Sequence, residues 1–116
     1  MGENGGNKMN QQEKITQLQV MEQNLTSIIL QKQQLQAQLA ETENALKELE
    51  KVDSAYRIVG NIMIKKEKQE LVNELKKEKE LLELRIKTLT SQEEKIKEKT
   101  KELQKEVLEE MKKGKK

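Results

Sequence analysis

Apolar side chains recur along this chain with the spacing of a helical seam. Leu75, Leu82, Leu89, Ile96 and Leu103 stand seven residues apart. Val72, Ile86, Thr100 and Val107, interrupted by Lys79 and Glu93, complete an alternating spacing of three and four. A period of about 3.5 residues is that of a coiled coil, with the leucine series at d. The first half carries its own seam, Leu18, Met21, Leu25, Ile28, Leu35, Leu39, Leu46 and Leu49, with Lys32 and Thr42 as off-type members. Two seams of similar length in one short chain predict an all-α dominated fold, a long antiparallel two-helix coiled coil made by the chain folding back on itself.

The ends of the helices follow from local signals. Residues 1–9 are polar and Gly-rich and are expected to be a disordered leader. Asn10 with Glu13 three positions later resembles a capping box and opens a helix over 10–52. A second helix is expected over 67–112, with Glu67 and Glu70 at the positive end of its dipole. Gly114 among the last lysines closes it and leaves a basic tail, 113–116.

Between the helices the pattern changes. Residues 55–65 hold two β-rich runs around Gly60-Asn61, and a two-residue loop of this kind suits a type II′ or I′ hairpin turn. The resulting register sets Val59 opposite Ile62, Ile58 opposite Met63, Arg57 opposite Ile64 and Tyr56 opposite Lys65. Val59, Ile62 and Ile64 share one face, and Tyr56, Ile58 and Met63 share the other. A simple apolar cap over the end of the coil is the plainer alternative. Two apolar faces and two open edges on a hairpin too small to be stable alone favour pairing with hairpins of other subunits. Tyr56, Ile58, Val59, Gly60, Ile62, Met63 and Ile64 are therefore the candidate oligomerisation residues.

Composition supports an exposed helical structure over a compact globule. Of the 116 residues, 33% are hydrophobic and 38% are charged, and Tyr56 is the single aromatic. With no Cys and no His, thiol chemistry, cysteine-based zinc sites and imidazole catalysis are excluded. No Gly-rich phosphate loop or nucleophile motif is present, so no enzymatic activity, metal or cofactor is expected. The longest apolar runs are three residues, which predicts no membrane span. No secretory segment is recognisable, which makes the cytoplasm the expected compartment. Basic and acidic residues are interspersed, as in the pairs Glu83 with Lys87 and Glu93 with Lys97, so nucleic-acid binding is not expected.

A helix, a short hairpin reading Tyr56-x-x-Val59-Gly60-x-Ile62-Met63-Ile64-Lys65 and a returning helix resemble the β-type subunit of prefoldin. The likeness spans about residues 15–110 and takes in Gln33-Gln34-Leu35-Gln36-Ala37-Gln38-Leu39, Leu84-Arg85-Ile86-Lys87-Thr88-Leu89 and Gln92-Glu93. The family's α-type subunits carry two hairpins, and the interval from Asp53 to Lys66 has room for one. The absence of Cys and the Lys/Glu-rich surface are compatible with an archaeal, thermophilic version. The resemblance implies a hexamer of two α-type and four β-type subunits, whose hairpins assemble into a β-barrel platform from which the coiled coils hang. It also implies an ATP-independent co-chaperone that captures unfolded polypeptides at the coiled-coil tips and passes them to a group II chaperonin.

The residues at the two chain ends fit such a role on their own terms. An antiparallel fold gathers Ile15, Leu18, Val20 and Met21 with Val107, Leu108 and Met111. Ile15, Val20, Leu108 and Met111 fall off the seam, and methionine adapts its shape to many partners. Off-seam apolar residues that merely widen the coil interface are the plainer alternative. Ile29 and Leu30 form a further off-seam pair. A structural or filament-forming coiled coil without client binding would share the same seams, and open-ended growth would separate it from a closed hexamer.

Overall fold

The computed structural model describes residues 10–113, so the expected leader and the end of the tail, Gly114 included, lie outside the described residues. Helix α1 spans Gln11–Leu49, strands β1 and β2 span Ala55–Val59 and Ile62–Lys66, and helix α2 spans Lys68–Lys113. The strands pair antiparallel as a two-stranded sheet. Two compact units divide the chain: residues 32–88 with the hairpin, and a terminal unit made of the residues up to 31 with those from 89 onward.

The helix ends are set by particular groups. The Asn10 side-chain oxygen accepts the Glu13 backbone N–H at 2.8 Å, and the Asn10 amide donates to the Glu13 carboxylate at 3.3 Å. The cap is therefore closed by side chain on side chain, a variant of the reciprocal capping box. Helix α1 ends at Leu49, short of the 52 expected. The N–H groups of Glu50, Lys51 and Val52 turn to carbonyls three residues back, which tightens the last turn and spends the helix. Strand β2 runs one residue further than expected, to Lys66, because Lys66 pairs with Ala55. The Glu67 carbonyl then accepts the Leu71 N–H at 3.0 Å and α2 begins at Lys68.

In the terminal unit, Ile28, Leu103 and Val107 are buried, all on the seam. The partly buried Met21 accepts a contact from the Thr100 hydroxyl at 3.6 Å, so the polar seam member Thr100 is satisfied within the coil. The seam is closed at its ends by an ion pair between Lys14 and Glu110. These pairs run in antiparallel order. In the hairpin unit the seam member Lys79 lays its stem along the coil and reaches Glu43 at 3.4 Å. Leu49, Ala55 and Leu71 form the buried cluster of this unit, with Val72 and Leu75 packed against it. Leu71 lies one residue off the seam. It is buried because the base of the hairpin, through Ala55, covers the face the seam does not.

Candidate functional site

The hairpin is built around one unusual backbone angle. Gly60 has φ = 61°, and among the described residues no non-glycine has a positive φ. A type I′ turn would require one at Asn61 as well, so the loop takes the II′ form. The strands pair as that turn dictates: Val59 with Ile62, Ile58 with Met63, Arg57 with Ile64, Tyr56 with Lys65 and Ala55 with Lys66.

All six large apolar hairpin residues are exposed. Ile58, Ile62 and Met63 are the most open, at 68%, 65% and 64%, and Tyr56, Val59 and Ile64 also face solvent. Burying side chains of this size is worth about 1.5–3 kcal/mol each. Such a concentration on a two-stranded sheet makes the hairpin the candidate binding surface. It continues at the hairpin base into an open depression lined by Leu49, Val52, Tyr56, Leu71 and Leu75.

Arg57 and Lys66 seat the hairpin on α2. The two terminal nitrogens of Arg57 donate separately, to Glu74 at 3.0 Å and to Glu78 at 2.6 Å. Lys66 reaches the other Glu74 oxygen and, at 3.7 Å, Glu70. The hydrogen bond from Lys66 holds the Glu74 carboxyl below the usual carboxylate range, with Arg57 adding to the effect. The same bond raises Lys66, and the bond to Glu78 raises Arg57. Pattern reading missed this seat, although its signal was present. Glu70, Glu74 and Glu78 recur every four residues along one helix face, and the turn register puts Arg57 and Lys66 on one face of the hairpin.

The chain-end residues divide by burial. Val107 is buried at 8%, so it belongs to the coil interior and offers nothing to a second molecule. Its seam position is the physical reason. Ile15, Leu18 and Met21 are half-buried. Val20, Leu108 and Met111 are exposed, as are Ile29 and Leu30. Lys14, paired with Glu110, has its pKa raised by that hydrogen bond. In the hairpin unit Leu81 and Leu84 are also exposed, at 54% and 60%. Both are off-seam neighbours of Leu82, and the sequence reading passed over them.

Among the described residues no group of three or more Cys, His, Asp or Glu side chains is placed to hold a metal ion, and no helix is long and apolar enough to cross a membrane.

Comparison with known proteins agrees with this architecture. The sequence profile described as "Prefoldin subunit" matches residues 12–114. The prefoldin subunit beta of Archaeoglobus fulgidus is 46% identical over 93 residues, which cover 78% of this chain and 80% of that one. That of Pyrococcus furiosus is 46% identical over 90 residues, covering 75% and 77%. The crystal structure of the prefoldin beta subunit from Thermococcus strain KS-1 superposes with a TM-score of 0.77 at 38% identity, over 84% of this chain and 88% of that one.

Proposed function

Because this chain belongs to the prefoldin subunit family, a family of chaperones, we propose that it serves as an ATP-independent holdase subunit. In this reading four copies join two α-type subunits in a cytoplasmic hexamer, with their hairpins paired into β-barrels. Non-native polypeptides are held at the coiled-coil ends and passed to a group II chaperonin. The observation that carries the reading is the hairpin: six large apolar side chains stand exposed on a sheet whose two edges are both open. Pairing with other strands would satisfy those edges, and closure into a barrel would cover one of the apolar faces.

Client capture is assigned to Val20, Leu108 and Met111, which are exposed near the chain ends, with Ile15, Leu18 and Met21 as half-buried support. Each contact is weak, and several subunits acting on one client supply affinity through effective concentration. The test is aggregation of an unfolding client in the presence of a hexamer reconstituted with an α-type subunit. Val20→Gln, Leu108→Gln and Met111→Gln combined should leave the hexamer intact by native mass spectrometry and remove most of the protection. Full protection by this hexamer would refute the assignment.

A further inference from the structure

The hairpin's hold on the rest of the chain is chemically narrow. Of its strand residues, Ala55 is buried, Arg57 and Lys66 are partly covered, and all the others are exposed. Ala55 packs into the Leu49–Leu71 cluster and is the one strand residue buried there. Ion pairs supply the other ties. Arg57, on β1, bridges Glu74 and Glu78, which lie one turn apart on α2. Lys66, on β2, reaches Glu74 and Glu70. Both strands are thus tied to a single helix face, and Glu74 is shared between the two ties.

We propose that Arg57 and Lys66 are positioning residues: with the carboxylate row Glu70, Glu74 and Glu78 they hold the hairpin in one direction before any partner arrives. Ile58, Val59, Ile62 and Met63 then meet neighbouring hairpins already oriented, so less freedom is lost on association. The inference rests on the reading that assembly runs through the hairpin. A planar guanidinium suits the Arg57 position, because its separate nitrogens can engage two carboxylates at once, which a single ammonium on the same stem cannot do with fixed geometry. The side chains of the cluster are 24% to 58% exposed, so salt weakens the clamp without abolishing it.

The test compares full-length Arg57→Gln with Lys66→Gln (double variant), Lys66→Arg, and Val59→Asp with Ile62→Asp (double variant). Amide hydrogen exchange is read in the unassembled subunit, and assembly with an α-type subunit by analytical ultracentrifugation. In the glutamine variant, hairpin amides should exchange about five- to thirtyfold faster, the range expected of a small ion-pair network. Helix amides should stay unchanged, and assembly should weaken by a similar factor. Lys66→Arg should behave as wild type. Unchanged hairpin exchange in the glutamine variant overturns the clamp, and so does a loosening shared equally by the helices, which marks a merely structural role. Assembly of the Asp variant at wild-type strength sinks the hairpin reading instead, and the exchange data then still decide whether the clamp exists.

Discussion

Gly60 shows how one residue sets the geometry of a surface. Its φ of 61° is left-handed, and a Cβ there would meet nothing within 4 Å. The cost of Gly60→Ala is therefore backbone strain alone, about 1–3 kcal/mol, and should appear as faster hairpin exchange with unaltered helix melting. Paired charges act at the same scale. Glu74 has a lowered pKa, so its contribution is present above its unfolded value of about 4.3 and is lost as pH falls through the folded value. Lys14 and Lys66 have raised values, so theirs is complete below about 10.4 and is lost as pH climbs through the folded values. The chain has no His. Thermal midpoints followed by circular dichroism should accordingly be flat from about pH 5 to 9 and fall on both sides. A slope through neutrality would contradict this assignment.

At the scale of elements, the coil separates side chains that look alike in the sequence. Leu103 is 6% exposed and Leu108 is 55% exposed, five residues apart on the same helix. Leu103→Ala should destabilise the coil by about 2–4 kcal/mol through lost burial and a cavity. Leu108→Ala should change stability by less than about 0.5 kcal/mol. Equal effects in chemical denaturation would mean that the seam is not the core. The hairpin is the opposite case, an element with almost no interior. Val59→Asp with Ile62→Asp removes apolar surface without touching the Leu49–Ala55–Leu71 cluster. Helicity should survive, and, if hairpins pair as proposed, sedimentation should show a small species with an α-type subunit present, because charges buried by that pairing would cost several kcal/mol each.

For the molecule as a whole, exposed large apolar side chains occur both on the hairpin and along the helices. The hairpin concentrates large side chains on a strand-pairing element, whereas Val20, Leu108 and Met111 are scattered on solvated helix faces. Under the proposed function, strong association belongs to the first and weak, adaptable contact to the second. Isolated subunits should therefore protect a client far less well than the same concentration of chains in a hexamer, by a factor of about 100 or more if several ends engage one client. Light scattering at matched chain concentration measures this, and equal protection would show that multivalency plays no part.

Much of this was legible from the residues alone, for reasons that are local. A heptad seam is a periodicity, and two seams of similar length joined by a short interval leave few arrangements other than antiparallel pairing. A two-residue loop opening on Gly60 sets the strand register, because a shift by one residue would reverse every side chain. Tertiary structure decided what lies off the repeat. Leu71 is buried although it is not on the seam, since Ala55 arrives from the hairpin to cover it. The seat of Arg57 on Glu74 and Glu78 joins residues separated by the hairpin's reversal, and the carboxylate row alone does not say which cation it receives. At the chain ends burial follows the repeat, with the seam residue Val107 inside and the off-seam Leu108 outside. Period and turn chemistry act between near neighbours along the chain, whereas cover depends on which other element stands above a residue once the chain has turned back.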